Sequence, residues 1–185
     1  TPITDEIVIT ADSDSKVYDG TALTDSGYTY TDGILVAGDV LTAVVEGTIT
    51  NVGTAANVVT SYVVMRGTVD VTGNYTFGTS VDGVLAITAR PVTLTSATDS
   101  KVYDGTALTN ATVTVGGDGF ASGEGADYTV TGSQLDVGSS DNSFTYTLTG
   151  GALAANYTIT KTEGTLTVTP ITDEIVITAD SDSKV

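Results

Sequence analysis

Residues 14–24 read DSKVYDGTALT, and residues 99–109 read DSKVYDGTALT again, 85 positions later. The likeness continues downstream at the same offset, where Gly47, Val52, Gly53 and Asn57 meet Gly132, Val137, Gly138 and Asn142. Near the end of each unit, Asn74-Tyr75-Thr76 is answered by Asn156-Tyr157-Thr158. Each is followed by a glycine and an alternating run, GVLAIT from Gly83 and GTLTVT from Gly164. Self-similarity at a fixed period marks a module used in tandem. A longer period lies on top of it: residues 1–17, TPITDEIVITADSDSKV, recur letter for letter at 169–185. The genetic repeat is therefore 168 residues, built of two diverged units. The expected organisation is a first repeat over 1–90, a second over 91–170, and the first strand of an incomplete third over 171–185. The chain reads as an internal piece of a longer array.

Period-two alternation of apolar and polar residues recurs through both units. It is seen at Ile7–Thr10, Tyr28–Thr31, Val40–Glu46, Val58–Val64 and Val84–Thr88. The second unit shows it at Val92–Thr95, Thr112–Val115, Tyr128–Thr131, Phe144–Leu148, Tyr157–Thr160 and Thr165–Thr169. Asp19-Gly20, Asp32-Gly33, Asp82-Gly83, Asp104-Gly105 and the stretch Gly116–Gly119 supply turn chemistry between them. The three prolines, Pro2, Pro91 and Pro170, fall at the unit boundaries, where a missing backbone donor does least harm. No segment carries a helical period, which leaves room for no more than one short helical turn per unit. The pattern predicts an all-β chain: two tandem immunoglobulin-like antiparallel β-sandwich domains arranged end to end.

Composition narrows the function. Hydrophobic content of 40% supports a folded core, and with no Trp that core must be mainly aliphatic. Net charge is −17, from 23 acidic and 6 basic residues, which repels phosphate backbones and anionic lipid headgroups. Nucleic acid is not an expected partner. With no apolar run of about 18 residues, membrane insertion of this segment is not expected either. Cys and His are both absent, which removes disulfides, thiolate chemistry and the commonest general base and metal ligand together. Ser has no His base and G-x-S-x-G is missing, so no enzyme is expected.

The KVYDGTALT box, the DVGSSDN segment at 136–142 and the closing NYTITKTEGTLTVTP at 156–170 together resemble the YDG/MBG-type repeat domains of bacterial cell-surface adhesins. The resemblance spans about residues 7–170, with the boxes in order in both units. The first unit departs from it with Asn51-Val52-Gly53-Thr54 in place of the second unit's Asp-Val-Gly-Ser. The resemblance implies immunoglobulin-like sandwiches in a secreted, surface-displayed bacterial protein. There they would act as a stalk or spacer that projects a distal binding domain, with neighbouring repeats of the same chain as the main partners. The alternative is an adhesion module that binds host glycan or mucin and gains strength from avidity.

Within the box, Lys16, Tyr18, Asp19 and Gly20, matched by Lys101, Tyr103, Asp104 and Gly105, read as a structural motif. Tyr would pack at the end of the sandwich with its hydroxyl near a backbone partner, and Asp-Gly would make a turn with positive φ at Gly. No cofactor is expected, and calcium is the one metal worth weighing. Asp12, Asp14 and Asp19, with Asp99 and Asp104 in the second unit, lie on acidic loops, and Asp5 and Glu6 sit before the first of these. Calcium requires six to eight oxygens. The competing reading is a solvated loop, since no EF-hand spacing completes and Ala97 replaces Asp12 in the second unit. A Lys–Asn crosslink from Lys16 or Lys101 is weighed against lysines that point outward. The sequons at Asn74, Asn110 and Asn156 read as turn and strand-opening residues.

Overall fold

A computed structural model describes residues 6–31 and 35–184; Pro2, Asp5 and the Asp32-Gly33 turn lie outside the described residues. The protein is all-β, as the alternation predicts. Its first half contains β1 (Ile9–Ala11), β2 (Asp14–Val17), β3 (Tyr28–Tyr30), β4 (Asp39–Glu46), β5 (Gly53–Arg66), β6 (Val69–Asp70) and β7 (Gly83–Thr88). The second contains β8 (Arg90–Ser96), β9 (Asp99–Val102), β10 (Val113–Gly117), β11 (Gly125–Val130), β12 (Gly138–Asn142), β13 (Phe144–Thr149), β14 (Tyr157–Thr162) and β15 (Gly164–Thr169). Among the described residues, one turn of 3-10 helix occurs in each half, at Thr72–Asn74 and Ala154–Asn156.

By spatial clustering the chain forms two compact units. One comprises Thr1–Val92 with Gly117–Gly125 and Leu148–Ile159; the other comprises Thr93–Gly116, Ala126–Thr147 and Thr160–Val185. The division therefore does not follow the sequence repeats throughout.

Sheet topology repeats between the halves. In the first, β2-β7-β5-β4 form a mixed sheet with β6 on β5, and β1 pairs β3. In the second, β9-β15-β12 matches β2-β7 and the first part of β5, and β11-β13 matches β4 and the remainder of β5. The long β5 is thus split in the second half, with Ser143 between β12 and β13. Not every pairing is antiparallel. β2 runs parallel to β7, with Asp14–Val17 opposite Leu85–Thr88, and β9 runs parallel to β15. Neither β2 nor β9 stands out as a strand in the sequence, because DSKV carries polar residues on three of four positions.

In the first unit the core gathers Ile7, Ile9, Leu41 and Val64, flanked by Tyr28, Tyr30 and Phe77. In the second it includes Leu108, Leu166 and Val168, and Tyr128 meets Phe144 edge to face at 6.4 Å. The segment 171–184 carries no strand. It shows that environment, not local sequence, orders these residues. Ile7 and Ile9 are 0% and 1% exposed, whereas Ile175 and Ile177, in the same 17-residue sequence, are 86% and 90% exposed. Burying one such side chain is worth about 1.5–3 kcal/mol, and only the first copy has β3 beside it.

The shared Asn and Gly residues close each half. Asn57 and Asn142 are fully buried. The Asn57 amide donates to the Asp12 carbonyl at 2.9 Å, and the Asn142 amide donates to the Ala97 and Asn110 carbonyls at 2.9 Å each. Both asparagines pair across the sheet with a glycine, Gly83 and Gly164. A Cβ at either glycine would collide with the very carbonyl the amide holds. On the other side the Asn oxygen occupies the place a Cβ would take at Gly47 and Gly132. Gly83 therefore opens a strand at a close approach, and its Asp82-Gly83 pair is not the turn that the dipeptide suggests.

Ala at Gly132 or Gly164 should lower the unfolding free energy by about 1–3 kcal/mol, the usual cost of overpacking a tight site. Gly73→Ala, where a Cβ meets nothing within 4 Å, should stay within about 0.5 kcal/mol of the parent. Urea unfolding of the three variants checks the contrast.

Candidate functional site

The Lys, Asp, Gly and following Thr of the Lys-Val-Tyr-Asp-Gly box make the same turn in both places. Lys16 Nζ lies 2.7 Å from Asp19 Oδ1 and donates to Thr21 Oγ1 at 2.7 Å. Asp19 Oδ1 also accepts the Thr21 amide at 2.8 Å and its hydroxyl at 2.7 Å. The second copy repeats each contact: Lys101 to Asp104 at 2.7 Å, and the Thr106 amide and hydroxyl at 2.9 and 2.8 Å. This is an Asp side chain capping its own turn. Gly20 and Gly105 follow with φ of 84° and 76°, the left-handed conformation that the turn needs from Gly. The lysine, followed by the threonine hydroxyl and amide, holds the Asp19 carboxyl far below the usual carboxylate range. Asp104 is lowered in the same way, with Lys101 as the largest cause. The two lysines are thus held by these carboxylates, and neither amide of Asn57 or Asn142 faces them.

The other candidate carboxylates are also engaged locally. Asp14 accepts the Ser15 amide at 2.7 Å, and Asp99 accepts the Ser100 amide at 2.8 Å and the Asn110 side chain at 3.0 Å. Asp12 contributes its backbone carbonyl to Asn57. Among the described residues, no three acidic side chains converge in a way that could hold a metal ion. Asp12, Asp14 and Asp19 are neighbours in sequence and serve separate turns and strands.

The two tyrosines of the box differ. Tyr18 is 4% exposed and Tyr103 is 37% exposed. Within the first compact unit, the Tyr18 hydroxyl donates to Glu124 Oε1 at 2.6 Å, so its partner is a carboxylate where the sequence suggests a backbone group. The Tyr157 hydroxyl donates to Glu124 Oε2 and accepts the Ala121 amide at 3.0 Å. The Tyr18 and Tyr157 rings meet edge to face at 5.5 Å. The bond to Glu124, then burial, raises the Tyr18 pKa. Burial first, then Glu124, pushes Tyr157 up to about 12. Neither phenol is therefore a base or nucleophile near neutral pH.

Around this cluster, Asn156 Oδ1 accepts the Val52 amide at 3.0 Å, and its amide donates to Asn51 Oδ1 at 2.9 Å. Asn156, a sequon residue, is buried. Arg90 donates through Nε to the Gly119 carbonyl at 2.7 Å, through Nη1 to the Tyr18 carbonyl at 3.3 Å, and through Nη2 to the Asp118 carbonyl. Asn156 and Tyr157 were visible in the sequence as a recurring Asn-Tyr-Thr triplet. Glu124 and Arg90 carried no signal, since one is an acid among 23 and the other a lone cation beside Pro91.

Two outcomes follow for stability. Tyr18→Phe should cost about 1 kcal/mol, the typical net value of a hydrogen bond, while Tyr103→Phe should change stability by less than about 0.5 kcal/mol. Because Asp19 and Asp104 have folded pKa values depressed below an unfolded value of about 3.9, their contribution is fully present above that value. It is lost as the pH falls from there towards the folded values. Asp19→Asn with Asp104→Asn should flatten the acid limb of a stability–pH curve below about pH 4, measured by urea titration at stepped pH.

No family model matches the chain, and neither a curated protein nor a solved structure matches it significantly.

Proposed function

We propose that this chain is a spacer repeat, two tandem immunoglobulin-like modules from the stalk of a bacterial surface adhesin, which carries a distal binding domain away from the cell. The supporting observation is what the recurring residues do. Lys16, Asp19, Gly20 and Asn57, like Lys101, Asp104, Gly105 and Asn142, are used to build their own turns and strand contacts. Residues repeated for a ligand would converge on a cavity, whereas these close the fold. The resemblance of the three sequence boxes to YDG/MBG-type repeats points the same way. A net charge of −17 suits an extended, soluble surface element.

A second reading, a glycan- or mucin-binding module, is favoured by one observation. A surface groove lined by Thr24–Ser26 and Val45–Thr48 recurs, at the same 85-residue offset, along Thr109–Ala111 and Val130–Ser133. Hydroxyl-rich grooves repeated along a chain suit weak sites that act through avidity. No aromatic side chain lines either groove, which disfavours this reading as the principal one.

Small-angle scattering of the chain, in calcium and then in chelator, separates the readings. A spacer should be extended in both, each module adding about 33 Å or slightly more, the span of ten strand residues. Extension in calcium alone would assign a metal to the acidic loops. A compact particle in both would overturn the spacer, and binding to an immobilised glycan panel would then become the decisive measurement.

A further inference from the structure

The contact that seats Tyr18 has two halves, and each is present a second time, with exposed residues in the corresponding places. On one side, Tyr18, Asn51 and Val52 meet Glu124, Tyr157 and Asn156. Their counterparts 85 residues on are Tyr103, Asp136 and Val137, all exposed. On the other side, Ala121 and Glu124 correspond to Val36 and Asp39, and Asn156-Tyr157 corresponds to Asn74-Tyr75. That pole keeps the same internal wiring. The Val36 amide donates to the Tyr75 hydroxyl at 3.0 Å, and that hydroxyl donates to Asp39 Oδ2 at 2.5 Å. The Ala121, Tyr157 and Glu124 set does the same. Yet Asn74 is exposed where Asn156 is buried, and Val36 is exposed where Ala121 is buried.

We propose that Tyr103, Asp136 and Val137 of one copy of this chain dock on Val36, Asp39, Asn74 and Tyr75 of the next copy, head to tail. The proposal rests on reading the chain as an array element, and it names the partner of each uncovered face. A contact between unlike faces that does not close into a ring propagates into an open line of subunits, the arrangement that a tandem repeat of 168 residues suits. The Asp39 carboxylate takes three of about four available bonds, from Arg66 and Tyr75, and its side chain is 1% exposed, so the Tyr103 hydroxyl reaches the remaining position as the half-exposed Arg66 moves aside. Asp136 replaces Asn51 and can accept from the Asn74 amide as Asn51 accepts from Asn156.

The two joints are alike without being identical. Arg90 corresponds, by the 168-residue period and the 85-residue offset, to Asp173, so its three carbonyl bonds have no equivalent. Thr169 lies four positions before Asp173, whereas Thr88 lies two before Arg90, so the connection is two residues longer. Positive charge enters instead from the receiving side, where the half-exposed Arg66 sits on Asp39 and the arriving face carries Asp104 and Asp136. Without the Arg90 clamp the contact depends on covalent tethering, which holds the partner at a high effective concentration.

The test is the chain extended by a second copy, residues 1–168 followed by 1–185, with ring-labelled tyrosine read by NMR in the presence of a soluble paramagnetic probe. Tyr103 of the leading copy should fall from the accessibility expected of a 37% exposed ring to that of Tyr18, at 4%. Asn74→Arg in the trailing copy, a change at an exposed residue that leaves the core intact, should restore the original accessibility. An unchanged Tyr103, or protection that survives Asn74→Arg, overturns the contact. Scattering from the same protein keeps the two readings apart. An extended particle with Tyr103 still accessible leaves the spacer standing and the docking refuted. A compact particle refutes the spacer, and the Asn74→Arg comparison still decides the docking.

Discussion

A buried asparagine amide, held between two glycines, is the constraint on which each half of the molecule depends. Asn57 on β5 and Asn142 on β12 hold the carbonyl of residue 12 or 97, just before the first strand of the mixed sheet. The facing glycine on the last strand, Gly83 or Gly164, is the only residue type that lets that carbonyl come so close. First strand, middle strand and last strand are thereby fixed in one place by a single polar side chain. A buried amide that makes its bonds specifies a unique arrangement, and one that loses them is costly. The amide nitrogen bonds one carbonyl in the first half and two in the second, while the buried side-chain oxygen has no hydrogen-bond partner in either among the described residues.

Much of the fold was legible because it is written in alternation and punctuation. Strands such as Val40–Glu46, Val84–Thr88 and Thr165–Thr169 announce themselves with every second residue apolar, and the structure contains them. The polar strands β2 and β9 do not, because their residues pair through backbone to a neighbour 70 or so positions away. Local pattern cannot report a partner at that distance. The same limit explains residues 171–184, whose sequence forms β1 and β2 near the start of the chain and no strand near the end.

The candidate site was legible to the same degree. The Lys-Tyr-Asp-Gly box was visible as a repeated motif, and its turn with positive φ at Gly20 and Gly105 follows from the dipeptide. What the tyrosine does was not visible, because two identical boxes have different surroundings. Tyr18 finds a carboxylate and a second ring, and Tyr103 finds neither among the described residues. The acidic residues divide likewise: sequence proximity of Asp12, Asp14 and Asp19 suggested a shared cation, while turn geometry gives Asp19 to Lys16 and Thr21.

The parallel pairing of β2 with β7, and of β9 with β15, also has a mechanical meaning. In each half the second strand, β2 or β9, lies beside the last, β7 or β15, pointing the same way, over four residue pairs. Tension applied at the two ends draws these neighbours along each other in opposite directions. The rungs between them then bear the load together in shear and cannot be opened one by one like a zip. Forced unfolding is governed by the rate of crossing such a barrier and not by equilibrium stability. A module of modest thermodynamic stability can therefore hold against a pull, provided β2 and β7, or β9 and β15, remain side by side.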